Sequence, residues 1–358
     1  MARILLTMLL IFATIFISVL PVMAQRNAPL PLGTVSGITQ LGSCPSGFLL
    51  GMTCYQAQIA CPSTASVGLT YGVENPTAAL KGTIVFLGGS DGTLPYGVPD
   101  YAGTYLASGF QVVQFAWDSA WEDTSTPSPN IQTAACRPAT FLNYIATGIY
   151  RGGGMCAQGL SGGSAAVAYT LAWYGGMNFL DKAELISGPV FSDIEKGCEV
   201  PDASTVTVCS NGQFGCNGKP WQDSPTYLGE DAIAVGSWTG DSSCAGTKRT
   251  NSEAETDWKQ MSIVDGTNNP SFTYPHTAMA AWLCSSDAKE QNNSAAEGEF
   301  FYSQFTSSKQ TAGFSVTRID HCNNTEGVEQ GFTPQGVLGL TAVTNDMINS
   351  CANKHKTR

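Results

Sequence analysis

Two serines of this chain stand in the pattern Gly-x-Ser-x-Gly, and a serine hydroxyl is a group that can attack an acyl carbon. One is Ser90, in Gly88-Gly-Ser-Asp-Gly92, and the other is Ser161, in Gly159-Leu-Ser-Gly-Gly163. Small residues two positions either side of the serine suit a sharp turn from strand into helix, which leaves the hydroxyl exposed at its apex. Ser161 follows a short apolar stretch from Gly154 and opens onto an Ala-rich run ending at Trp173, so it has a strand before it and a helix after it. Ser90 is followed by Gly92, Pro95, Gly97 and Pro99, which no helix tolerates well. Ser161 is the expected nucleophile.

A serine reacts only when a base takes its proton, and the base must be held by a third group. The chain has three histidines. His276 precedes a strand and His355 lies in a charged C-terminal tail, whereas His321 follows a strand in Arg318-Ile-Asp-His321-Cys322. His321 is the expected base. Asp287, just after the strand candidate Thr277–Cys284, is the expected orienting acid, with Asp193 as the alternative. Asp320 is a poor partner, because neighbouring side chains on an extended segment point opposite ways. Cys284 stands three residues before Asp287 and Cys322 directly after His321, so a Cys284–Cys322 disulfide would tie the acid loop to the base loop.

Acyl transfer also needs N–H donors aimed at the oxyanion that forms. The expected donors are the backbone amides of Gly162, next after the nucleophile, and of Gly89 and Ser90. The loop that holds Gly89 and Ser90 contains no lysine and opens no helix, which argues against a phosphate cradle. No cofactor and no metal is expected, since the chain has few histidines and no Cys-x-x-Cys pair.

The elements that would position these groups can be read in order. Met1–Ala24 is a secretory signal peptide pattern, with Arg3, an apolar run from Ile4 to Leu20 and small residues before a cleavage after Ala24. This predicts a secreted or periplasmic protein with no membrane association once the signal is removed. All 12 cysteines follow residue 24, and an even number in an exported chain reads as disulfides. The chain carries a net charge of −11, which disfavours nucleic acid as a partner.

Residues 25–43 read as a flexible leader, and 44–189 and 276–358 as the two halves of one core. Strands are expected over Thr53–Cys61, Val67–Val73, Ile84–Leu87, Gln111–Trp117, Ala183–Ser187, Thr277–Cys284 and Phe314–Ile319. The first two would form an antiparallel edge. Helices are expected over Tyr101–Ser108, Asn130–Tyr150, the run after Ser161, Glu297–Ser307 and Gln335–Cys351. Strands alternating with helices predict an α/β fold with a mostly parallel sheet. Residues 190–275 hold four cysteines and show no period, and read as a disulfide-rich cap inserted between two core strands. Trp117, Trp121, Trp221, Trp238 and Trp258 serve in this reading either as a binding wall over Ser161 or as the small core of the cap.

The chain order Ser161, Asp287, His321, the Gly-Gly loop after an early strand, and the strand-serine-helix turn together resemble the α/β-hydrolase superfamily, over roughly residues 50–188 and 277–350. The Gly-Leu-Ser-x-Gly box in a secreted, disulfide-rich chain is similar to that of extracellular polyester depolymerases and carboxylesterases. The resemblance implies an eight-stranded sheet, a Ser-His-Asp triad, and hydrolysis of small-molecule or polymeric esters without a cofactor. Leu87-Gly-Gly-Ser stands where that family often has His-Gly-Gly-Gly. A serine peptidase with the same triad, and an inert binding protein on the same scaffold, are the alternatives.

Overall fold

The structure is a computed structural model and describes residues 28–89, 92–96, 100–122, 131–188, 190, 192, 259–264, 272–284, 301–302, 305, 313–322 and 327–352. Among the described residues nine strands form one sheet. They are β1 (Thr34–Gln40), β2 (Thr53–Ala60), β3 (Val67–Glu74), β4 (Gly82–Leu87), β5 (Phe110–Trp117), β6 (Gly154–Leu160), β7 (Lys182–Ile186), β8 (Ala278–Cys284) and β9 (Gly313–Ile319). Their spatial order is β1-β2-β3-β5-β4-β6-β7-β8-β9. The pairs β1/β2, β2/β3 and β3/β5 are antiparallel, and every pair from β5 to β9 is parallel.

The helices are α1 (Asp100–Ala107), α2 (Ile131–Ala134), α3 (Cys136–Tyr144), α4 (Gly162–Trp173), α5 (Gly327–Gln330) and α6 (Gly339–Cys351). They cover both faces of the parallel half, which explains why β4 to β8 are buried along almost their whole length instead of alternating buried and exposed residues. On β4, Val85 and Leu87 face a core shared with α3 and α4, while Ile84 and Phe86 face a second core shared with α1 and α6. All twelve residues of α4 are buried, and alanines at 165, 166, 168 and 172 let it lie close on the sheet.

Three departures from the sequence reading have physical causes. Residues 34–40, read as leader, form β1, so the antiparallel edge has three strands and not two. This strand is exposed along nearly its whole length, and without a buried face it shows no hydrophobic period. The single helix expected over Asn130–Tyr150 is α2, α3 and a π-helical turn at Ile145–Ile149. Pro138 has no N–H to offer the carbonyl of Ala134, where α2 ends. The closing helix begins at Gly339 rather than Gln335, because Phe332 and Leu338 form a bridge ahead of it.

Among the described residues four disulfides staple the fold: Cys44–Cys54, Cys61–Cys136, Cys156–Cys351 and Cys284–Cys322. The last is the pair expected from the placement of the candidate acid and base. The other four cysteines, Cys198, Cys209, Cys216 and Cys244, lie outside the described residues, as do the signal peptide and nearly all of 190–275. Among the described residues no helix is long and apolar enough to cross a membrane.

Candidate active site

Ser161 sits between β6 and α4 with φ 51° and ψ −121°, a backbone conformation that a residue with a side chain rarely adopts. Such strain persists only where the surroundings over-determine it. Here the Ser161 N–H donates to the Ile186 carbonyl (2.9 Å) and its own carbonyl accepts from the Ser164 N–H (2.7 Å). The Ser164 hydroxyl, fully buried, accepts from the Ile186 N–H (3.0 Å) and lies 2.9 Å from the Gly159 carbonyl, so it locks the turn to β7. The sequence reading did not single out Ser164; a hydroxyl three residues past the nucleophile, inside an Ala-rich helix, was the available signal.

Two glycines are fixed by close approach. A Cβ on Gly163 would collide with the Leu87 carbonyl and stand 2.8 Å from the Gly88 oxygen. A Cβ on Gly159 would likewise run into the backbone of Gly163 and stand 2.8 Å from the Ser164 nitrogen. The turn is therefore pressed against the end of β4, whose following loop reaches the serine: a Cβ on Gly89 would lie 3.2 Å from the Ser161 Cβ. Gly162 opens α4, and the first-turn N–H groups of a helix have no acceptor within it. Those amides, at the positive end of the helix dipole, favour an anion beside Ser161.

His321 is exposed, lies two residues past the end of β9, and has φ 59°. Register places it on the same edge as Ser161. Leu160 pairs with Ile186, Ile186 with Trp282 and Trp282 with Thr317, so the carboxyl ends of β6 to β9 are level. Ser161 and His321 leave the sheet from strands three places apart, roughly 14 Å at about 4.8 Å per step. The chain beyond β9 is anchored by reciprocal backbone hydrogen bonds between Asp320 and Phe332 (both 2.7 Å) and by the Cys284–Cys322 disulfide. Ser63, Ser161, Ser187 and His321 are the non-glycine residues with positive φ among the described residues, and the last three all lie at this sheet edge.

Asp287, Asp193 and Ser90 lie outside the described residues. Trp117 and Trp121 are not a binding wall: they are 3% and 1% exposed. They brace the loop after β4. The Trp117 N–H donates to the Gly92 carbonyl (3.0 Å), and Gly92, with φ 70°, leaves no room for a Cβ, which would lie 2.8 Å from the Trp117 ring. Sequence reading missed this because an aromatic next to a glycine-rich loop looks the same whether it faces solvent or core. Trp221, Trp238 and Trp258 lie outside the described residues. Among the described residues no group of three or more His, Cys, Asp or Glu is arranged to hold a metal ion.

No family model matches this chain, and no curated protein matches it. Among solved structures its chain path is similar to a bacterial heroin esterase, at 11% identity and TM-score 0.49, covering 85% of this chain and 84% of that one. It is similar also to brefeldin A esterase, a bacterial homologue of human hormone-sensitive lipase, at 13% identity and TM-score 0.48, covering 87% and 79%. A third is acetyl xylan esterase 1 from Thermoanaerobacterium sp., at 13% identity and TM-score 0.45, covering 81% and 83%.

Proposed function

We propose that this chain, which has the α/β-hydrolase fold, is a secreted serine hydrolase that cleaves carboxylic esters through an acyl-enzyme on Ser161. The observation that carries the reading is the strained Ser161 at the head of α4, with the Gly89 backbone directly beside it. A serine held at positive φ by buried hydrogen bonds has no structural purpose that a glycine would not serve with less strain.

In this mechanism His321 takes the Ser161 proton as Oγ attacks the ester carbonyl. Negative charge moves to the carbonyl oxygen, which accepts N–H bonds from Gly162 and from the loop of Gly89 and Ser90. Collapse breaks the bond to the alcohol, which leaves with the proton from His321. Water then attacks the acyl-enzyme, giving its proton to His321, and the carboxylic acid departs as Ser161 recovers its hydrogen. Asp287 holds the imidazole and stabilises its charged form. No step calls for a cofactor.

Four disulfides among the described residues fit an oxidising compartment, as the signal peptide pattern of residues 1–24 does. The 190–275 segment, inserted between β7 and β8, is the cap that sets substrate size in this reading. Purified protein is expected to hydrolyse p-nitrophenyl acetate, with the matched p-nitroanilide turned over far more slowly. Preference for the anilide would make it a peptidase, and inertness toward both would make it a binding protein.

A further inference from the structure

At the opposite end of the sheet from Ser161, the amino ends of the parallel strands carry a groove of about 290 Å³. Its lining includes Tyr55, Tyr71, Tyr144, Asn75, Gln111 and Arg151. Gln111 is the second residue of β5, and Arg151 stands three residues before β6 begins. Seven residues of β6 at about 3.3 Å each put roughly 23 Å between this groove and the serine. We propose that the groove is a binding site for a neutral sugar ring, one pyranose unit of an oligosaccharide, separate from the reaction at Ser161.

The three tyrosines are pre-placed by one another. Tyr55 and Tyr71 are directly opposed in the β2/β3 register, and their rings stack at 5.1 Å with 19° between planes. Tyr144 meets Tyr71 edge-on at 6.3 Å, and the two hydroxyls are 3.4 Å apart. An aromatic surface of this kind offers an electron-rich face to the C–H groups of a sugar and hydroxyls to its rim. Tyr55 and Tyr144 are half-buried, so part of that surface is open to a ligand.

A polar relay orders the other wall. The Thr83 hydroxyl donates to Gln111 Oε1 (2.8 Å), and Gln111 Nε2 donates to Asn75 Oδ1 (2.8 Å). Thr83 and Gln111 are buried at 0% and 1% exposure, so Asn75 is held by its carbonyl and presents its NH₂. Arg151 is exposed and adds a fork of donors. N–H donors and hydroxyls beside aromatic rings match a polyol, every hydroxyl of which can both accept and donate. An apolar ligand would leave Asn75 and Arg151 unmatched. A phosphate would have one cation in a chain of net charge −11.

The backbone is also specialised here. Below Tyr144 the helix widens into the π turn Ile145–Ile149, closed by the Tyr150 N–H donating to the Ile145 carbonyl (2.7 Å). Such turns are rare and are frequent at functional sites. Gly148 of that turn lines the groove, and a Cβ there would stand 3.4 Å from the Tyr144 ring, so glycine keeps the flank of that ring clear. The volume lies just below the roughly 300–1,000 Å³ of small-molecule sites, enough for one ring with the rest of the oligosaccharide in solvent.

The test is calorimetric titration of the full-length protein with cellohexaose, xylohexaose and mannohexaose, none of which carries an ester. At least one is expected to bind with Kd below about 1 mM, and Tyr55→Ala to weaken it about tenfold. Arg151→Ala, a surface change that leaves the core intact, is expected to weaken it about threefold or more. Both variants are expected to keep the parental rate on p-nitrophenyl acetate. Absence of binding by all three sugars overturns the inference, as does affinity unchanged in both variants.

Discussion

Cys284, the last residue of β8, is bonded to Cys322, the residue after His321, with their Cα atoms 5.8 Å apart. The bridge joins the strand end from which the chain runs toward Asp287 to the loop that holds the candidate base. It closes a sequence separation of 38 residues, and a staple of that span contributes about 2–4 kcal/mol in the chain-entropy account. Replacing both cysteines by serine is expected to lower the unfolding temperature, and to cut kcat/KM on p-nitrophenyl acetate at a temperature where the variant is still folded. A variant that loses stability alone would mean that the bridge does not position His321.

Gly163 and Gly89 separate folding from rate. A Cβ on Gly163 would meet the rigid Leu87 and Gly88 carbonyls, so Gly163→Ala is expected to cost about 1–3 kcal/mol or more in thermal unfolding. A Cβ on Gly89 would crowd the Ser161 Cβ, at 3.2 Å, while the Leu160 carbonyl oxygen and Cγ stay at ordinary contact distances of 3.5 and 3.9 Å. Gly89→Ala is therefore expected to keep its unfolding temperature while kcat falls by about 10- to 1,000-fold, as when an oxyanion donor is displaced. Equal damage to stability in both would remove the Gly89 loop from the site.

Much of this was legible from residue types, and the misses have a common cause. The apolar runs of β4 and β8 and the switch from strand to helix at Ser161 depend on burial, which leaves a hydrophobic signature. β1 has almost no buried face and so left none. The Ser164 lock joins the helix after β6 to β7 across 22 positions, and Ser187, at φ 42°, is held through its N–H to the Trp282 carbonyl of β8 (2.9 Å), so both depend on residues far apart in the chain. Trp117 and Trp121 were read by their aromatic character, whereas their role comes from the strand that carries one and from the Arg137 guanidinium, which donates to the Trp121 carbonyl (2.7 Å).

Glu184, on β7 beneath the turn, gives a pH signature. Burial pushes its carboxyl well above the ordinary glutamate range, with Lys182 opposing the shift and Asp346 adding to it. A carboxyl with a raised folded pKa contributes stability that is full below its unfolded pKa of about 4.3 and is lost as pH rises through the folded value. Glu184→Gln keeps the neutral form throughout. Its unfolding temperature is expected to exceed the parent's on the alkaline side by a few degrees, with the gap closing toward pH about 4. A gap independent of pH across thermal scans would contradict the assignment.

Asp287 and Asp193 compete for the acid. Asn in place of the true partner leaves the imidazole in the wrong tautomer, an effect on the order of 10⁴ in kcat. Asp287→Asn is expected to show it and Asp193→Asn to stay within about tenfold of the parent. The reverse ranking in steady-state assays would move the acid to the loop after β7.

The most direct measurement of the central claim is labelling with a fluorophosphonate probe, which reacts with activated serines, followed by peptide mass mapping. The account predicts one adduct, on Ser161, absent in Ser161→Ala and in His321→Ala and retained in Ser90→Ala. An adduct on Ser90, or labelling that survives His321→Ala undiminished, would contradict it.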